Sequence, residues 1–126
     1  MKAAQLLVRC LENEGVELIF GIPDEENLDL MDALLDSGVR FITTRHGQGA
    51  AFTGDIYGRL TGKGGVFLST MVPGATSLIT DVADANMDHA PPVAIAGQAA
   101  TTRLHKESRQ VLDVVNLFLP ITKYST

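Results

Sequence analysis

The strongest constraint on the fold is a repeated alternation of short apolar runs with amphipathic helical segments. Residues 16–21 carry Val16, Leu18, Ile19 and Phe20, residues 39–43 carry Val39, Phe41 and Ile42, and residues 66–69 and 93–96 are apolar at nearly every position. Strands apolar on both sides have no face to give to water. They belong in a parallel sheet covered by helices on both faces. The expected class is therefore α/β, with an open, mainly parallel sheet.

The intervening segments have helical spacing. From Ala3, the positions Leu6, Leu7, Cys10 and Leu11 follow an i, i+3, i+4 rhythm and Gly15 supplies a stop. Cys10 falls on that stripe and is expected to be a small buried thiol. A second helix, capped by Asp24 or Asn27, would carry Leu28, Met31, Leu34 and Leu35 before Ser37 and Gly38 break it. Residues 46–61 form a third helix, closed by the turn Gly62-Lys63-Gly64-Gly65. Pro73 and Gly74 open a fourth, with Leu78, Ile79, Val82, Ala83 and Asn86 on one face. A polar stretch over 101–110 leads to a short helix with Val111, Val114, Val115 and Phe118. Pro120 ends it before a final strand at 121–124.

At 126 residues the chain has the length of one domain, 1–126, with no linker or repeat. A net charge of -5 with no basic cluster gives phosphate backbones nothing to bind, so nucleic acid is not an expected partner. No apolar run is long enough to span a membrane, and one cysteine cannot form an intrachain disulfide. Those features fit a reduced, cytoplasmic setting. His46, His89 and His105 lack neighbouring ligands at metal spacing, so no metal site is expected. The polar run from Arg103 to Arg109, mixed in sign, is that of an exposed loop.

Two features stand out. The third helix contains Gly47, Gly49, Gly54 and Gly58, although each interior glycine costs about 0.5–1 kcal/mol relative to alanine. Gly54 and Gly58 share a face, where either another backbone, from a subunit or a neighbouring helix, comes close or the domain itself packs tightly. The second feature is Met71-Val72-Pro73-Gly74-Ala75-Thr76, placed where a strand gives way to a helix. Doubly wound sheets bind ligands at such turns. No dinucleotide or P-loop fingerprint accompanies it.

Taken together and in order, Phe20-Gly-Ile-Pro-Asp-Glu-Glu-Asn-Leu28, Thr44-Arg-His-Gly-Gln-Gly-Ala-Ala51, Pro73-Gly-Ala-Thr76 and Leu104-His-Lys-Glu-Ser108 resemble the acetolactate-synthase-like thiamine diphosphate enzymes. Ala83-Asp-Ala-Asn86, Gly97-Gln98 and Pro120-Ile-Thr-Lys-Tyr-Ser125 extend the likeness over essentially the whole chain. The resemblance is to their N-terminal pyrimidine-binding domain and implies the thiamine diphosphate-binding fold. It also implies cofactor-binding positions at Pro23, Gly47, Pro73, Gly74, Ser77 and Gln110.

In that family a Gly-Asp-Gly motif holds the diphosphate through magnesium. Gly54-Asp55-Ile56 does not reproduce it, so magnesium would come only with a separate diphosphate-binding domain or subunit. The family also reads Arg-His-Glu-Gln-Gly-Ala where this chain has Arg45-His46-Gly47-Gln48-Gly49-Ala50. The glutamate hydrogen-bonds the aminopyrimidine and promotes its imino tautomer, whose nitrogen takes the thiazolium proton. Glycine offers no such group, and Gln48 points about 100° away around the helix. Further departures are Val72 for the first glycine of Gly-Pro-Gly, Ser77 for asparagine, Arg109 for histidine and Asp24 for a frequent glycine.

The expected function is thus a pyrimidine-half binding domain, catalytically incomplete alone, with no catalytic residue of its own. It would work as a homodimer or with a diphosphate-binding partner. Two alternatives are one subunit of a split 2-oxoacid decarboxylase or carboligase, and a non-catalytic interaction or regulatory module.

Overall fold

A computed structural model describes residues 1–104 and 106–126; the expectation for His105 lies outside them. Four strands, β1 (Leu18–Gly21), β2 (Arg40–Thr43), β3 (Gly65–Ser69) and β4 (Pro92–Ala96), form one sheet in the order β2-β1-β3-β4, every pair parallel. The helices are α1 (Ala3–Asn13), α2 (Leu28–Leu35), α3 (Gly47–Thr61), α4 (Ile79–Met87) and α5 (Val114–Phe118).

The period-two geometry of a strand explains the continuous apolar runs. Ile19, Val66 and Leu68 point to one face and pack with Val8, Leu11, Leu30 and Leu34 of α1 and α2. Phe20 and Phe67 point to the other and pack with Ala50, Ala51, Leu78, Val82 and Phe118 of the α3, α4 and α5 side. β3, between β1 and β4, is buried at all five residues. The expected two-faced α/β sheet is the fold observed.

Several local expectations need correction. In α1 the inward stripe is Val8 and Leu11, while Leu6, Leu7 and Cys10 are exposed. The i, i+3, i+4 pattern fits two overlapping stripes, and at about 100° per residue Leu6 falls opposite the one that reaches the sheet. In α2, Leu30 and Leu34 are buried, and Leu28 and Leu35, seven residues apart on the outer side, are exposed. The fourth helical segment begins later than Pro73, as a 3₁₀ turn over Ala75–Leu78 that runs into α4, and Asn86 is exposed.

No strand forms at 121–124. Leu119–Ile121 is a 3₁₀ turn, and Thr122 Oγ1 and Ser125 Oγ donate to the carbonyls of Phe118 and Val115, tying the segment to α5. A groove of about 770 Å³ lies between it and β4.

The two glycines of α3 find their reason inside the domain. A Cβ on Gly54 would sit 2.8 Å from Phe67 Cδ1, and one on Gly58 would sit 2.9 Å from the backbone nitrogen of Gly65. The helix rests directly on β3, which decides between the two readings of that face. Gly62 ends α3 in the left-handed conformation at φ +69°, its N–H donating to the Gly58 carbonyl at 2.9 Å.

Candidate functional site

From β1 the chain moves outward to β2, then returns across β1 to β3, so the strand order reverses between β1 and β3. Loops leaving the carboxyl ends of two such strands diverge and leave a crevice, the usual ligand position in open α/β sheets. The β1 loop starts at Ile22 and Pro23 and is fixed by Asn27. Asn27 is buried, its Oδ1 accepts from the Asp24 N–H at 2.9 Å and its Nδ2 donates to the Ile22 carbonyl at 3.3 Å. Asp24 caps the 3₁₀ turn Glu25–Asn27 by accepting from the Glu25 N–H at 2.8 Å, and Asn27 stands at the start of α2 without a capping bond. Thr70 Oγ1 donates to Glu26 Oε2 at 2.8 Å and ties the β1 loop to the β3 loop.

The β3 loop contains a cis peptide between Val72 and Pro73. Its turn closes on the Pro73 carbonyl, which accepts from Thr76 Oγ1 at 2.8 Å and from Ser77 Oγ at 3.0 Å. Gly74 has no room for a side chain, since a Cβ there would lie 2.7 Å from both Ser69 Oγ and Thr70 Cγ2.

Facing this turn is the first residue of α3, Gly47, which is buried. A Cβ on it would lie 3.3 Å from Ser77 Cβ, 3.4 Å from the Gly74 carbonyl oxygen and 3.5 Å from Ser69 Oγ. Three of the six positions implied by the resemblance, Gly47, Gly74 and Ser77, thus meet at one point. Pro73 is exposed on the same turn, and Pro23 is exposed on the neighbouring β1 loop. Gln110 is exposed in the β4–α5 connection at φ +62° and makes no hydrogen bond to the others. Sequence reasoning missed Ser69, a buried hydroxyl at the end of an otherwise apolar strand, and the Glu26–Thr70 bond. A polar residue ending a buried run was the available signal for the first; nothing local announced the second.

Just before Gly47, His46 caps α3, its Nδ1 accepting from the Gln48 N–H at 3.2 Å. His89 is exposed at φ +57°, and no cluster suited to a metal ion occurs among the described residues. The main charged group lies deeper along α3. Arg59 contacts Asp55 at 2.7 Å, Asp88 at 2.6 Å and Asp84 at 3.4 Å, joining α3 to α4. Hydrogen bonds to Asp55 and then Asp88 hold its guanidinium above the ordinary arginine range.

Residues 1–117 match the family described as "Thiamine pyrophosphate enzyme, N-terminal TPP binding domain". This chain belongs to that family. Among its relatives are a "Probable acetolactate synthase large subunit" of Methanocaldococcus jannaschii, 43% identical over 125 residues, and an "Acetolactate synthase" of Bacillus subtilis, 46% identical over 124. A third is the "Acetolactate synthase isozyme 2 large subunit" of Escherichia coli K12, 44% identical over 125 residues. These alignments take in 98–99% of this chain but 21–23% of the relatives, so the chain spans about a fifth of their length. As a TPP enzyme N-terminal domain it is acetolactate-synthase-like along its whole sequence. The matched region reaches into α5 and takes in both loops of the crevice. No helix among the described residues is long and apolar enough to cross a membrane.

Proposed function

We propose that this domain supplies the pyrimidine half of a thiamine diphosphate site in an acetolactate-synthase-like assembly and is catalytically incomplete on its own. The observation that carries this is the start of α3, where Gly47 faces Gly74 and Ser77 with no side chain between them. The crevice offers backbone carbonyls and the half-buried Ser77, with the exposed Pro23 and Pro73 at its margins and the buried Ser69 behind them. These groups fit contact with a small heteroaromatic ring. They do not fit proton transfer to it, since no carboxylate stands at Gly47, and no chemical step is assigned to the chain alone. Diphosphate and magnesium would belong to a separate domain or subunit. Gln110 would join the site only if its loop were carried there in the assembly. The lone thiol Cys10 agrees with a reducing, cytoplasmic setting.

The test is Gly47→Glu. Its Cβ needs a shift of a few tenths of an ångström at Ser77, and a carboxylate in the first turn of α3 gains from the helix dipole by about 0.3–1 kcal/mol. With a diphosphate-binding partner, thiamine diphosphate and magnesium present, hydrogen–deuterium exchange at the thiazolium carbon should rise by about 10²-fold or more over the glycine form. Unchanged exchange, together with no saturable cofactor binding in calorimetric titration, would favour the non-catalytic interaction module. That second reading draws on the same missing carboxylate.

Homodimerisation is part of the proposal, on different grounds from the glycines, which serve β3. The outward face of α3 presents Phe52, Ile56 and Leu60, exposed at 39%, 49% and 82%, and its charged residues Asp55 and Arg59 turn toward α4. A helix apolar on this many sides is ordinarily covered. Sedimentation at high concentration should give a dimer, and Ile56→Lys should shift it to monomer. A monomeric parent chain would sink this part of the reading.

A further inference from the structure

Asp81, on α4, is completely buried, and neither of its carboxyl oxygens has a hydrogen-bond partner among the described residues. Across from it on α3 lie Asp55, also buried and with Oδ1 unpartnered, and Arg59; on α4 lies Asp84, and just past its end Asp88. β4, α5 and the 3₁₀ turns Ala75–Leu78 and Leu119–Ile121 also pack on the α4 side, and none carries a charged residue. Among the described residues the one cation facing this cluster, Arg59, is already divided among Asp55, Asp84 and Asp88. An ionised Asp81 would therefore be a buried charge with no hydrogen bond or ion pair of its own, a state proteins avoid by neutralising the group.

We propose that Asp81 is a proton-binding latch between α3 and α4: protonated, it lets the two helices close, and its ionisation loosens their contact. Burial first, then the charges of Asp55 and Asp84, push its carboxyl up from 3.8 to about 6, with Arg59 opposing. The folded form therefore holds the proton more tightly than the unfolded chain. The closed contact is at full strength below about pH 4, weakens as pH rises, and loses this contribution above about pH 6. The latch is close to the crevice in the chain. α4 continues directly from the turn that holds Ser77 against Gly47, so loosening α4 frees that wall of the site.

Carboxyl-carbon NMR of the native chain measures the latch without any substitution, and Asp81 should titrate near pH 6. In urea unfolding, this group should lower the folding equilibrium constant by on the order of tenfold to a hundredfold between about pH 4 and pH 8. Asp81→Asn and Asp81→Ala should both remove that part of the pH dependence, and either variant suffices if the other fails to fold. Native-state amide exchange should speed up above about pH 6 more in α4 than in α1 and α2, after correction for intrinsic rates. Titration of Asp81 in the ordinary carboxylate range would overturn the latch. So would an unchanged pH slope in the variants, or equal acceleration in all helices.

Discussion

Replacing Gly65 by alanine should abolish the folded state at room temperature, a loss of more than about 4 kcal/mol. The added Cβ would fall 1.9 Å from the Gly54 carbonyl oxygen and 2.6 Å from its carbon. Both are backbone atoms of α3 and have no rotamer into which to retreat. Gly65 itself is held in register opposite Pro92 of β4, on a strand that also pairs with β1, so the sheet cannot easily yield either. Moving α3 outward would strip Phe67, Ala50 and Ala51 of their contacts in the same core. Circular dichroism and urea unfolding read the outcome. Gly62→Ala is the matched control: Gly62 has positive φ but nothing within 4 Å of an added Cβ, so it should cost only about 1 kcal/mol through backbone strain. A loss at Gly65 as small as that at Gly62 would mean that α3 does not rest on β3.

This contact also shows what the sequence could and could not convey. The excess of glycine in α3 was visible, because helix propensity alone disfavours it, and the alternation of strands and helices was enough to place both faces of the sheet. The partner of Gly54 was not visible, because it is a glycine 11 residues later on a strand, and only the tertiary fold brings the two together. Helix faces failed for a related reason. Leu6, Leu7 and Cys10 in α1, and Leu28 and Leu35 in α2, satisfy a helical period as well as the buried residues do, and the choice is made by the sheet they pack on. Asp81, Asp84 and Asp88 follow one another at helical spacing, and nothing in that spacing singles out one of them. Contact with α3 buries the first and leaves the other two half exposed. In the candidate site, Gly47, Gly74 and Ser77 stand in motifs visible in the sequence, whereas their meeting point, Ser69 and the Glu26–Thr70 bond depend on which strands become neighbours.

Phe67→Ala should destabilise the domain by about 3–5 kcal/mol. Phe67 is completely buried in β3, and its ring lies among Phe20, Ala50, Ala51, Leu78 and Val82 on the α3–α4 side of the sheet. Ala50 and Ala51, the buried α3 residues of this cluster, are too short to fill the vacated volume. The same geometry requires coupling to Gly54. In the native chain, Gly54→Ala sets a methyl 2.8 Å from Phe67 Cδ1, so the helix-propensity gain of about 0.5–1 kcal/mol is outweighed by the clash and the substitution destabilises. Once the ring is gone, that methyl enters the cavity, and its nearest remaining neighbours are Phe67 Cβ and the Val66 carbonyl oxygen, both at 3.5 Å. Gly54→Ala should therefore turn neutral or stabilising in the Phe67→Ala background. The two changes should depart from additivity by about 0.5–3 kcal/mol in a double-mutant cycle of urea midpoints. Additive losses would show that the helix escapes the ring by moving, and that close seating of α3 on β3 is not what fixes the position of Gly47 at the crevice.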